Sequence, residues 1–199
     1  STQTATVGST YYENTGSGAT WTKRSGSEVS NNLDTTAGAG NSVRYYSAQF
    51  LQGNIPGFGD IIRDKLDAAN VVTQSVETEF MVGSQFLVNY ATSVGDAIQF
   101  YTPVVLNNVN QSRIALGTSR IYTGTDDVSG VLSTTTQLTD LNSGTTGNFT
   151  RPVNSMWWGH VDNSNLMLIG AGSQVWTTST SAAGSLTQLT GYAGGNAEG

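Results

Sequence analysis

The chain has 199 residues, 37% hydrophobic and only 11% charged, which is enough apolar side chain for a packed core and excludes global disorder. A net charge of −6, with eight scattered Lys and Arg, argues against a nucleic-acid partner, because phosphate binding needs clustered cations. Cysteine is absent, which excludes disulfide frameworks and thiolate metal sites, and no apolar run reaches the length of a membrane span.

With 24 glycines, 3 prolines and abundant Ser, Thr and Asn, the composition is that of an all-β chain rich in turns. The same profile is common in secreted and surface proteins and points to an extracellular or cell-surface location. The chain begins at Ser1, not Met, and carries no secretory signal, which suggests a processed or excised product.

In chain order, a first strand is expected over residues 2–7, then Tyr11-Tyr12, a glycine turn, and Thr20-Trp21-Thr22. Lys23-Arg24, the one adjacent basic pair, reads as a solvated strand end. The order Ile61, Ile62, Leu66, Ala69, with charged residues between and Asp60 as N-cap, predicts a short helical insertion near 60–69. Its alternative is a strand and turn. Glu77 and Glu79 alternate on one strand face. The segment from Met81 to Val104 has strand content, but lies too close to the unit at Leu116 to be a separate one.

Two downstream stretches align with each other. Arg120-Ile121-Tyr122-Thr123 lies over Gln174-Val175-Trp176-Thr177, and Thr136-Gln137-Leu138-Thr139 over Thr187-Gln188-Leu189-Thr190. The period is about fifty residues, that of a four-stranded propeller blade, and the stretch from Val7 follows the same plan. Residues 14–21, Asn14-Thr15-Gly16-Ser17-Gly18-Ala19-Thr20-Trp21, resemble the Asp-box hairpin of sialidase-like, sortilin-like and xyloglucanase-like β-propellers, Ser-x-Asp-x-Gly-x-Thr-Trp. Gly18, Thr20 and Trp21 match, Asn14 replaces the Ser and Gly16 the Asp. The resemblance implies blades of a propeller in which the box is structural. About four to eight blades close a propeller, and this chain holds three or four. It therefore reads as one β-repeat domain over 1–199, or as part of a larger propeller that self-associates or joins a partner. A compact β-sandwich or jelly roll is the competing architecture.

The chemistry-bearing candidates are few. Met156-Trp157-Trp158-Gly159-His160 carries the sole histidine. On a strand, adjacent side chains face opposite sides, so one Trp ring enters the core and the other faces outward as a platform for a sugar or a protein. Packing of both rings between sheets is the alternative. Trp157, Trp158 and His160 are the candidate ligand-binding residues. No cofactor is expected beyond a calcium ion, whose weak candidate ligands are Asp126, Asp127 and Asp162. Glycoside hydrolysis needs two carboxylates at a set separation, and none of the sets (Asp60, Asp64 and Asp67; Glu77 and Glu79; Asp126 and Asp127) is distinctive. Asn110-Gln111-Ser112 and Asn148-Phe149-Thr150 fit the N-glycosylation sequon, as chance allows in so Asn-rich a chain.

Three functions follow. The first is a non-catalytic propeller module for adhesion or assembly that binds a glycan or protein. The second is a virion or filament structural protein with a jelly-roll or sandwich fold. The third, a glycoside hydrolase fragment, has the least support because no catalytic constellation assembles.

Overall fold

The computed structural model describes residues 3–7, 10–14, 22–24, 27–33, 42–47, 61–67, 71–97, 102–126, 131–144 and 147–191, with side chains from residue 63 onward. The chain is all-β, with a single short helix among the described residues. It divides into two compact units: 1–54, 59–78 and 127–134 form the first, and 55–58, 79–126 and 135–199 the second.

In the first unit, β1 (Gln3–Val7), β2 (Thr10–Asn14) and β3 (Thr22–Arg24) form an antiparallel meander. The turn between β2 and β3, which holds most of the Asp-box-like segment, lies outside the described residues. A second antiparallel run joins β4 (Ser27–Leu33), β5 (Ser42–Ser47), β6 (Ile61–Leu66) and the start of β7 (Val72–Val82).

Strand β6 corrects the helix expected near 60–69. It is paired on both sides, Arg63 facing Tyr45 of β5 and Val76 of β7, so its backbone groups are satisfied by neighbours and not within a helical turn. A sequence of six residues starting with two β-branched Ile suits that central position. Arg63 and Leu66 are buried, and Asp64 accepts a hydrogen bond from Ser75 Oγ at 2.6 Å. The Arg63 guanidinium donates to the Ser133 carbonyl. On β7, Thr73, Ser75, Glu77 and Glu79 are exposed while the residues between them turn inward, the alternation expected of a half-buried strand.

The second unit contains two successive four-stranded meanders. The first is β9 (Val104–Leu106), β10 (Arg113–Gly117), β11 (Ile121–Thr125) and β12 (Thr135–Asp140), each antiparallel to the next. The second is β13 (Val153–His160), β14 (Asn163–Ala171), β15 (Gln174–Thr178) and β16 (Thr187–Gln188). The end of β7 pairs in parallel with β12, Thr135 opposite Glu79, so the first meander is extended and is not a free-standing blade.

The strand rhythm repeats, but the register does not. Tyr122 of β11 faces Asp140, whereas its counterpart Trp176 faces Gln188, which aligns with Gln137. The segment from Met81 contains more than strands. After the turn at Gly83, β8 (Gln85–Phe86) leads into α1 (Leu87–Ser93), a helix without a side-chain cap that is anchored by buried Leu87 and Ala91. β9 belongs to the first meander.

One apolar core serves both meanders. Ala115 and Ile121 from the first meet Val153, Trp158, Met167, Ile169 and Ala171 from the second, closed by Leu141, Phe149 and Leu186. Gly117 permits this approach, because a Cβ there would lie 2.7 Å from Val153 Cγ1. Backbone bonds join the meanders directly: Val153 N–H donates to Thr118 O at 2.7 Å, and Asn108 N–H to Trp158 O at 2.9 Å.

Around the β10–β11 turn, buried polar groups replace apolar packing. Asp140 accepts from Arg120 Nε at 2.9 Å, Arg120 Nη2 at 2.6 Å, Tyr90 OH at 2.8 Å and Asn142 N–H at 2.9 Å. Asp96 accepts from Thr118 Oγ1, Ser119 N–H and Oγ, and Tyr122 OH at 2.6–3.0 Å. Burial alone would lower the Arg120 pKa, but the hydrogen bond and charge of Asp140 overcome it and hold the guanidinium above its usual value. This network clamps the segment after α1 onto the hairpin and satisfies each buried charge.

Candidate recognition face on the second meander

The β13–β14 hairpin settles how the two tryptophans are used. Trp158 faces Met167 and is 1% exposed, with the Arg113 guanidinium 4.4 Å from its ring centroid. Burial lowers the pKa of that arginine, whose Nη1 donates to Ser164 O at 3.3 Å. Trp157 faces Leu168 on the opposite side of the sheet, and the two are 38% and 42% exposed. Alternation along one strand thus sends one ring to the core and the other outward. The register continues the outer row from Trp157 through Leu168 to Thr177 and Thr187, so apolar surface gives way to hydroxyls within the sheet.

His160 joins this face by a break in the pattern. Strict alternation would put it on Trp158's side, but the pairing slips between Trp158 and His160, where Gly159 adopts φ +93°. The His160 ring centroid lies 6.2 Å from that of Trp157, the planes tilted by 57°. Gly159 is required twice over: its φ is in the left-handed region, and a Cβ would lie 2.6 Å from Asn107 Oδ1 and 2.9 Å from Asn108 N. An isolated Gly inside a strand pattern is the sequence sign of such an irregularity.

Asp162 sits with Val161 in the two-residue turn that follows, since His160 pairs with Asn163. Its N–H donates to His160 Nδ1 at 3.2 Å, and its carboxylate, with Oδ2 3.4 Å from the same nitrogen, is 87% exposed. Asn163 to Asn165 already belong to β14.

The remaining candidates do not converge. Asp126, at the end of β11, is buried and accepts from Thr136 Oγ1 at 3.3 Å, while Asp162 is in another turn and Asp127 lies outside the described residues. Among the described residues no group of three or more His, Cys, Asp or Glu could hold a metal ion. Asp64 and Asp67 are engaged by Ser75 and by Val71 N–H, Glu77 and Glu79 are exposed, and Asp60 lies outside the described residues. The Asn148 side chain is held by Arg120 and by the Val94 and Gly95 carbonyls. No helix among the described residues is long and apolar enough to cross a membrane.

Comparison of the chain with protein-family models, curated proteins and solved structures finds no match.

Proposed function

We propose that this chain is a non-catalytic recognition module of propeller-like blades, acting outside the cell or at its surface in adhesion or assembly. The outer face of the β13–β16 meander takes a glycan or protein partner. The observation that carries this reading is the outward Trp157, a large aromatic kept half-exposed beside a sister ring that fills the core. A ring that served only stability would gain more by burial. Support for blades comes from two runs of four successive antiparallel strands that start at Val104 and Val153, the first of them extended by β7.

The test is retention of the labelled full chain on intact cells, extracellular matrix and a glycan array, comparing wild type with W157A. Loss of retention with unchanged circular dichroism is expected for W157A. Equal retention of the two proteins on every surface would remove Trp157 from recognition and sink the proposal. Light scattering on the same samples checks assembly, since a strictly monomeric chain at all concentrations would leave adhesion alone.

A further inference from the structure

We infer that the occupant of this face is a neutral saccharide, one sugar ring stacked on Trp157 with His160 and Asp162 reading its hydroxyls. The inference rests on the recognition reading above and specifies its ligand. Three observations choose a sugar over a protein.

The first is size. Trp157 exposes 38% of itself, on the order of 100 Å² for a side chain of this class, and the outer row turns to threonine after Leu168. The centre of a protein interface is an extended apolar patch, whereas a single pyranose ring covers about one indole.

The second is polarity. In the neutral imidazole, Nδ1 accepts the Asp162 N–H, so the ring proton resides on Nε2 and makes it a donor. The Asp162 carboxylate, 87% exposed, is an acceptor only. A donor and an acceptor beside one aromatic ring suit vicinal hydroxyls, each of which can give and take a hydrogen bond. The slip at Gly159 builds this group by bringing His160 within 6.2 Å of Trp157.

The third is charge. The charged group placed beside His160 is the Asp162 carboxylate, and the chain as a whole has a net charge of −6. Both disfavour anionic glycans and a second copy of the same chain.

The experiment titrates the full chain with neutral hexasaccharides in gluco, manno, galacto and xylo configuration, and with a sulfated polysaccharide. Indole N–H resonances and tryptophan fluorescence are the readouts. At least one neutral sugar is expected to shift the Trp157 signal. W157A should weaken binding by at least about tenfold, as expected for an aromatic anchor. W157F should retain most of the affinity, and H160A and D162N should each lose about three- to tenfold. A neutral sugar that binds as tightly to W157A, a preference for the sulfated polymer, or no response to any sugar would each overturn the inference. If W157A still abolishes retention on cells or matrix while no sugar binds, the face recognises a protein and only the saccharide assignment fails. If W157A changes neither readout, the recognition reading fails with it.

Discussion

Replacing Gly159 by Ala tests the local geometry on which the recognition face depends. Two costs can be worked from the structure. The left-handed backbone, φ +93°, costs an L-residue about 1–2 kcal/mol. The new Cβ would lie 2.6 Å from Asn107 Oδ1, and Asn107 is fully buried. That Asn accepts from Val109 N–H at 3.0 Å and Asn110 N–H at 2.9 Å and donates to Ser164 O at 2.6 Å. Displacing it disturbs three hydrogen bonds of about 1 kcal/mol each, so with the backbone cost G159A should lose about 4–5 kcal/mol in all. N107A alone should cost about 2–3 kcal/mol for the same bonds. In the double variant the clash with the Asn107 side chain is gone and the backbone cost and the contact with Asn108 N remain, so G159A should cost less there than in the wild type, a coupling that a double-mutant cycle resolves. Urea unfolding followed by circular dichroism gives the free energies, and the shift of the Trp157 indole N–H reports whether His160 has moved. A G159A loss below about 0.5 kcal/mol, or strict additivity with N107A, would refute the role assigned to Gly159.

Three further outcomes are expected. W158A should destabilise by about 3–5 kcal/mol, as for a fully buried Trp, whereas W157A should cost less than about 1 kcal/mol, the scale of one cross-strand pair; equal losses in urea unfolding would contradict the division between the two rings. R120A should cost about 3–5 kcal/mol by leaving Asp140 buried without its guanidinium, and R120M/D140L should be markedly less damaging than the sum of its parts, as thermal unfolding would show. Burial, then the charge of Asp96 and the hydrogen bond to it, push the Tyr122 phenol far above its ordinary pKa, and burial with Asp140 raises Tyr90. A raised folded-state pKa stabilises fully below the unfolded value, about 10, and that contribution is lost as pH climbs beyond it. Stability should therefore fall above about pH 10, with tyrosinate absorbance from Tyr122 appearing only on unfolding and Y122F showing a shallower fall; early ionisation of Tyr122 in the folded chain would contradict its buried bond to Asp96.

The parts of this fold that the sequence shows are those where local pattern and tertiary environment agree. The aligned runs at Arg120 and Gln174 both become the second strand of an Ile/Val-containing hairpin, because β-branched residues between turn signals suit paired strands in either setting. That Trp157 and Trp158 face opposite sides follows from period-two geometry, whereas the exposure of Trp157 depends on what lies against that face. Residues 61–66 leave helix and strand both open, because the placing of Ile61, Ile62 and Leu66 satisfies either, and what decides for the strand is pairing with β5 and β7. Helix α1 was hidden for the opposite reason: Leu87-Val88-Asn89-Tyr90 has no capping signal, and its buried Leu87 and Ala91 hold it in place. His160 next to Trp157 could be read only in part, since Gly159 marks an irregularity but not the direction in which the chain turns. The partners of Asp96 and Asp140 come from separate hairpins and a helix, and no spacing rule links them.

The proposed recognition face and the core are coupled through a single peptide link. Trp158 is fixed by Met167 across the hairpin and by Arg113 above its ring, so the backbone that carries Trp157 has little freedom to shift. Asn108 N–H, bonded to Trp158 O, pins the same strand from the other meander. A platform held in this way loses little further conformational entropy on binding, so weak stacking against a small ligand is not cancelled by the cost of ordering the site. The polar groups lie at the end of β13 and in the two-residue turn that follows it. Asp162 N–H holds the His160 ring through Nδ1. Weakening the core beneath Trp158 should therefore lower affinity at Trp157 even where the variant stays folded, by loosening the platform and not by removing a contact. A conservative W158F variant isolates that effect: it keeps the outer face chemically intact, and unchanged saccharide affinity in it would show that the platform does not depend on the ring beneath.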